Sequence, residues 1–262
     1  MRTLETIIRI LRILFAMPLV VGTVCVPAAF AASNPSSAAA APSDHDPIEP
    51  FNRAIFWFND HVDMYVLEPV AKGYDAITPK RVQQCLTNFF LNLRFPIVAV
   101  NDLLQAKFVP TASDVGRFTV NTTVGLAGFF DPASDWGLEQ HDEDFGQTLG
   151  YWGVPAGPFL MLPLWGPSNI RDTVGLAGDS AAAVYPWFIP FYYSGGARVV
   201  STVNGRAQVL KEVSEVREAS VDYYVAVRNA YSQHRDELIN DRAGMSQQEQ
   251  EDLYSVDTNG GN

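Results

Sequence analysis

The sequence predicts an all-α protein made of kinked amphipathic helices and one apolar loop rich in glycine and proline. Apolar residues recur at spacings of three and four over most of the chain after residue 50, and no strand-like alternation rises above background. Prolines interrupt these stripes and predict kinks. Between residues 151 and 165 glycines and prolines forbid a continuous helix, although the side chains are largely apolar. Such a segment needs a protein core, a partner or a bilayer to cover it.

The first 31 residues predict an export signal. Arginines precede an apolar run that starts at Ile13, and Ala29-Phe30-Ala31 fits the small-x-small rule for cleavage. An uncleaved membrane anchor is the alternative, since residues 13–32 approach the ~20 residues that span a bilayer. Cys25 is a further candidate, for lipidation. Val24 directly before it is not the small residue that lipoprotein processing requires, so the pattern favours cleavage after Ala31.

Composition describes a chain of 262 residues that is 47% hydrophobic and carries a net charge of −11. Loss of the basic signal leaves a still more acidic body, which argues against nucleic acid and against electrostatic docking on anionic lipid. Cleavage leaves Cys85 as the one remaining cysteine, so no internal disulfide is expected. Residues 32–50 are rich in Ser, Ala and Pro and predict a flexible tether to a helical domain over 51–242.

The helical domain begins with an apolar stripe from Phe51 to Tyr65, which either packs in a core or faces lipid. A second helix is expected from Thr78, as its cap, to Leu93. Pro96 then breaks or kinks the chain, and another helix follows over 97–108 until Pro110 ends it.

The second half of the domain continues in the same way. Residues 111–114 predict a weak cap for a helix through Val124, and Ser168 caps another through Ala177. Residues 181–193 are apolar and form either a buried loop or a membrane-dipping segment. One long amphipathic helix is predicted over 197–242, kinked near Gly205, before a polar tail at 243–262.

The cluster His141-Asp142-Glu143-Asp144 is the densest group of ionisable residues and suggests a metal site. Four consecutive side chains point in different directions, so they cannot converge on one ion without distant partners. We interpret the cluster as an acidic turn that starts a helix. No cofactor fingerprint or phosphate-binding loop is present in the sequence.

Catalytic chemistry has one candidate. Gly178-Asp179-Ser180 resembles the nucleophile block of GDS-type lipases, which makes an exported lipid hydrolase using Ser180 the alternative function. That family places its serine near the N-terminus and a D-x-x-H pair near the C-terminus, whereas this chain reads Tyr-Ser-Gln-His around His234. The sequence therefore predicts a protein that is not an enzyme.

Several long motifs occur together in one order. They are DPIEPFNR from Asp46, NDLLQ from Asn101, RFTVNTTVGLAGFFDP from Arg117, EDFGQTLG from Glu143 and GPSNIRD from Gly166. With these motifs the chain resembles the MlaA/VacJ family of outer-membrane lipid-transport proteins over about residues 44–240. The poor lipoprotein box is the departure from the family pattern, and it concerns acylation rather than the transport body.

The resemblance implies a ring- or disc-like body embedded in the inner leaflet of the outer membrane, at its periplasmic face. It further implies retrograde movement of misplaced phospholipid to a periplasmic carrier protein, often beside a trimeric porin. For a lipid passage we predict the polar residues Asn52, Asn121 and Asp131, and for a mobile gate the residues Gly153, Pro155, Gly157 and Pro163. A non-transporting outer-membrane scaffold remains the other alternative.

Overall fold

The computed structural model describes residues 46–183 and 191–241. The predicted export signal with Cys25, most of the tether, residues 184–190 and the tail at 243–262 lie outside these ranges. The last five residues of the predicted tether belong to the fold, because Asp46 is buried and a helix begins at Glu49.

The described chain is mostly helical, with one short hairpin. The elements are α1 (Glu49–Val62), a π-helical turn (Asp63–Leu67), α2 (Glu68–Ile77), α3 (Lys80–Leu104), α4 (Phe108–Thr123), α5 (Pro132–Asp135), α6 (Phe145–Tyr151), β1 (Phe159–Leu162), β2 (Gly166–Asn169), α7 (Ile170–Ala182), α8 (Phe191–Gln208), α9 (Leu210–Ala219) and α10 (Tyr223–Ile239). The predicted helical class is confirmed, whereas the expectation that no strand occurs is wrong.

The hairpin pairs β1 with β2 in antiparallel register, with Phe159 opposite Asn169 and Leu162 opposite Gly166. Strands of four residues are too short to show a period-two pattern above background. The turn between them places Leu164 at a φ of 63°, and Gly166 follows at a φ of 84°. The hairpin therefore occupies the second half of the segment that we predicted to be an apolar loop.

The break expected at Pro96 does not occur, and Pro110 does not end a helix. Pro96 lies inside α3, which runs unbroken through it. A proline costs a helix interior ~3 kcal/mol, and the burial of Ile97 and Val98 against neighbouring helices offsets that cost. Pro110 lies in the first turn of α4, where its missing N–H would have had no helical partner.

Predicted caps were right at one site and wrong at others. Asp144 caps α6 by accepting a hydrogen bond from the Gln147 backbone N–H, as expected for an acidic turn that starts a helix. Thr78 instead ends α2, and residues 111–114 lie inside α4. The cap of α7 is Asn169 rather than Ser168, because the Asn169 side chain accepts from Asp172 N–H.

The predicted long helix over 197–242 is divided into α8, α9 and α10. The first break is at Val209 rather than near Gly205, and the second spans Ser220 to Asp222. Asp222 starts α10 by accepting a hydrogen bond from Val225 N–H. A local side-chain cap thus ends a periodicity that the apolar spacing alone continues.

Burial in this fold is inverted relative to an ordinary globular domain. Among the described residues, more polar or charged side chains than apolar ones are buried. The apolar cluster is small and centres on Phe159, Met161 and Tyr224. Large apolar side chains instead lie on the surface, including Trp57, Tyr65, Ile77, Phe108 and Trp136. Over residues 46–183 and 191–241, none of the helices combines the length and apolarity that crossing a membrane requires.

Candidate functional site

A polar recess lies between α3 and α4 and is partly open to solvent. One helix face contributes each wall. On α3 the wall residues recur at helical spacing from Asn88 to Val98, and on α4 they recur from Asp114 to Asn121. The third wall is the loop around Asp131 and residues 140–142. The recess brings together two of the three predicted passage residues, Asn121 and Asp131.

Arg117 organises the floor of the recess. Its guanidinium donates to both carboxylate oxygens of Asp131 at 2.9 and 2.8 Å, to Ser134 Oγ and to the Leu138 carbonyl. Asn121 donates to Asp131 at 2.8 Å and accepts from the Ala133 backbone N–H. Burial alone would raise the pKa of Asp131, but bonds from Ser134, Asn121 and Arg117 outweigh it and lower the pKa. Asp131 is therefore a fixed negative charge.

Arg94 lines the same recess from α3 with fewer contacts. It forms an ion pair with Asp142, with 2.7 Å between Nη2 and Oδ1. Its Nε–H is buried and has no hydrogen-bond partner among the described residues. Burial works to lower the pKa of Arg94, and the Asp142 and Asp144 carboxylates raise it above the ordinary value. Arg94 is a permanent cation with unused donor capacity.

Two aspartates, Asp114 and Asp102, lie at the end of the recess near the connection from α3 to α4. Asp114 accepts from His141, with 3.2 Å between Nδ1 and Oδ2. Behind it, both oxygens of the fully buried Asp102 lack a hydrogen-bond partner among the described residues. Burial first, and the neighbouring Asp114 second, raise the pKa of Asp102 to about 7. Asp102 therefore holds its proton more readily than an ordinary aspartate does.

Apolar groups complete the recess beside these charges. Phe95 and Phe118 stack with their ring centroids 4.4 Å apart, and Leu91 and Val98 lie on the same α3 face. The recess is amphipathic, because hydrogen-bonding groups and hydrocarbon share one opening. Such a surface suits a ligand that has both a charged and an apolar part.

Asn52, the third predicted passage residue, lies elsewhere and is completely buried. Its amide donates to Asp46 and to the Phe159 carbonyl and accepts from Met161 N–H, at 2.7, 3.0 and 2.9 Å. Two helical turns later, Asn59 donates to the Leu162 carbonyl and accepts from Leu164 N–H. These contacts make Asn52 a clamp that holds the hairpin against α1, and they do not place it in the recess.

The predicted gate residues lie on both sides of β1. Gly153, Pro155 and Gly157 lie in the connection from α6 to β1, and Pro163 begins the hairpin turn. Gly153 and Gly157 have φ angles of 84° and 71°, which L-residues with a Cβ adopt at a cost. None of the four lines the recess.

The side chains of 141–144 diverge. Besides His141 with Asp114 and Asp142 with Arg94, Glu143 pairs with Lys107 and Asp144 with Arg235. Within residues 46–183 and 191–241 no group of three or more His, Cys, Asp or Glu is arranged to hold a metal ion. Ser180 Oγ donates to the Leu176 carbonyl one turn earlier in α7.

Sequence reasoning missed most of the recess. It did not select Arg94, Asp114 or Arg117, nor the Arg94–Asp142 pair. A signal existed on α4, where Asp114, Arg117 and Asn121 follow the helical spacing of a polar stripe. Nothing in the local sequence pairs that stripe with α3, since the partner residues are distant in the chain.

Comparison with known proteins places these features in a family context. A family model described as MlaA lipoprotein matches residues 44–238. The chain is 36% identical over 199 residues to the intermembrane phospholipid transport system lipoprotein MlaA of Escherichia coli strain K12, covering 74% of this chain and 78% of that protein. The Haemophilus influenzae protein of the same name is 35% identical, with 75% and 80% covered. An uncharacterised Rickettsia felis protein is 39% identical, with 74% and 78% covered.

A solved structure is similar as well. It is described by the words "Structural basis for maintenance of bacterial outer membrane lipid asymmetry" and superposes with a TM-score of 0.67. The two chains are 35% identical, and the match covers 74% of this chain and 98% of the other.

Proposed function

This chain belongs to the MlaA lipoprotein family; it is a phospholipid-transport component of the Gram-negative envelope rather than an enzyme, and we propose that the recess between α3 and α4 is its headgroup passage. Asn121 and Asp131 belong to the lining of that passage. The phospholipid moves from the outer leaflet toward the periplasm, and its tails stay in hydrocarbon.

The proposal rests on the burial pattern, in which polar side chains are buried and large apolar side chains are exposed. Trp57, Phe108 and Trp136 are each more than 60% exposed, while Asp102, Asp114 and Arg117 are buried. An exposed apolar surface of this kind marks a membrane or partner contact. Aromatic side chains such as tryptophan favour the boundary between lipid and water. The body is therefore suited to lie within one leaflet with its polar interior shielded.

Partition explains how such a body moves a lipid. A charged headgroup meets a steep barrier in hydrocarbon because it loses its hydrogen bonds to water. The recess offers replacement donors and acceptors along a path, and its Phe95–Phe118 side tolerates the start of the acyl chains. The sequence has no ATP-binding motif, so direction comes from partners. A periplasmic carrier that accepts the lipid, and a trimeric porin beside the body, complete this proposal on the strength of the family resemblance.

Filling the recess tests the passage. Asn88 lies at its rim, and we expect Asn88→Trp to slow lipid transfer roughly tenfold, equivalent to ~1.4 kcal/mol on the barrier. Val82→Trp is the matched control, because Val82 is exposed on α3 and does not line the recess. The measurement is surface-exposed phospholipid in cells that lack their own family member. Equal surface phospholipid in both variants would favour a scaffold without a passage.

We also propose that the segment around Gly153 and Gly157 is a mobile gate, together with Pro155 and Pro163. Alanine at both glycines disfavours their positive φ angles by about 1–2 kcal/mol each. We expect the double variant to raise surface phospholipid. Gly166→Ala is the control, since Gly166 has a φ of 84° and open space around it but lies outside the gate residues, at the start of β2. A double variant that behaves like Gly166→Ala contradicts the gate.

A further inference from the structure

The charges of the recess are not equally available. Arg117 is bound by acceptors from Asp131, Ser134 and the Leu138 carbonyl. Arg94 makes one ion pair, to Asp142, and keeps an unpartnered Nε–H. The Asp142 side chain is 55% exposed, whereas that of Arg94 is 10% exposed. The Arg94–Asp142 pair is therefore the one that an entering ligand can open, because water already reaches one of its members.

The sign of the recess limits which ligands can enter. Its lining holds three carboxylates, Asp114, Asp131 and Asp142, against the two guanidinium groups of Arg94 and Arg117. A ligand with a net negative charge would face this excess of like charge. A ligand that carries one positive and one negative group would not change the balance.

We infer that the recess selects phospholipids with a zwitterionic headgroup, whose phosphate replaces Asp142 on Arg94 while the ammonium replaces Arg94 on Asp142. The inference rests on the proposed passage and names the substrate class of that same site. Exchange of one ion pair for two leaves every charge partnered, which is the condition for moving charge through a partly buried site. The phosphate also supplies an acceptor near the Arg94 Nε–H.

The apolar wall fits the same ligand. Phe95 and Phe118 stack beside the charged groups, so the glycerol end of an acyl chain can contact hydrocarbon while the headgroup contacts Arg94. A free zwitterion without acyl chains gains nothing from this wall. The occupant is therefore a phospholipid rather than a soluble headgroup.

Competition between two lipids tests the selection. The full chain in detergent is mixed with equal amounts of dioleoyl phosphatidylethanolamine and dioleoyl phosphatidylglycerol, and bound lipid is counted by native mass spectrometry. We expect the wild type to favour phosphatidylethanolamine roughly fivefold, as one ion pair predicts. Asp142→Asn removes the ammonium partner and the ion pair of Arg94 with Asp142, so the preference should fall to about one or reverse. Asp135→Asn, an exposed Asp outside the recess, should keep the wild-type ratio.

The outcomes separate this inference from the proposed passage. An even ratio in the wild type, or a ratio unchanged by Asp142→Asn, overturns zwitterion selection. If Asn88→Trp still slows transfer in that case, the passage stands without selectivity. If the wild type binds neither lipid and Asn88→Trp has no effect, the passage and the selection both fail.

Discussion

Asn52→Ala is expected to lower the free energy of unfolding by about 3 kcal/mol, because the substitution leaves several buried groups without partners. Asn52 is 0% exposed and bonds to Asp46, to the Phe159 carbonyl and to Met161 N–H. Water cannot take over those bonds at a fully buried site. The Tyr224 hydroxyl also donates to Asp46, so the variant disturbs the attachment of the N-terminal segment as well.

The clamp at the other end of the hairpin provides the control. Asn59 makes the same kind of paired contact to Leu162 and Leu164, but at a half-buried position. Asn59→Ala should therefore cost only about 1 kcal/mol, since water replaces the lost amide. Urea unfolding in detergent, followed by circular dichroism, measures both. Equal costs for the two variants would contradict the clamp that we assign to Asn52.

Arg235→Met should lower the free energy of unfolding by about 3–5 kcal/mol, which is typical when one partner of a buried ion pair is removed. Arg235 on α10 pairs with Asp144 at 2.6 Å and with Asp172 at 2.9 Å, and its side chain is 11% exposed. These carboxylates lie at the starts of α6 and α7, which approach so closely that a Cβ on Gly175 would lie 2.5 Å from Gly146 N. One guanidinium therefore joins three helices.

The loss should depend on pH. Burial raises the pKa of Asp144, but the charge and hydrogen bonds of Arg235 outweigh it and hold that pKa well below the ordinary value of ~3.9. A lowered carboxylate pKa stabilises the fold above the unfolded-state pKa, and that stability is lost as pH falls. The difference between wild type and variant should be full at pH 7 and shrink below about pH 4.

A matched arginine separates burial from charge in this experiment. Arg53 also pairs with two carboxylates, Glu49 and Asp222, but its side chain is 40% exposed. Arg53→Met should cost at most about 1 kcal/mol because solvent screens the pair. Denaturant unfolding at pH 7 and at about pH 3 measures both variants. A cost for Arg235→Met as small as that for Arg53→Met would show that the α6–α7–α10 junction does not depend on the ion pair.

Much of the fold was accessible from local sequence. The stripe from Phe51 to Tyr65 predicted α1, and the acidic turn before Phe145 predicted the cap of α6. Motifs in a fixed order indicated the family. Proline was the unreliable signal, since Pro96 lies within α3 and Pro110 within the first turn of α4. A proline removes one backbone hydrogen-bond donor, whereas tertiary packing decides whether the helix continues.

The hairpin shows where local reasoning stops. Its edge strand β1 is completed by the side chains of Asn52 and Asn59, which are about a hundred residues away in the chain. No periodic pattern within β1 predicts its contacts with Asn52 and Asn59. Asn52 was predicted for the passage as a polar residue, and the clamp gives that polarity another reason.

The sequence by itself determined the helical class, the acidic and apolar character of the body and the family, because composition, spacing and ordered motifs are properties of the chain. Only the tertiary structure decided which polar side chains meet. Arg94, Arg117, Asp131 and Asp142 form one recess because α3, α4 and the following loop pack together. Charges that are distant in sequence acquire partners only through that packing, since electrostatic pairing depends on distance in space.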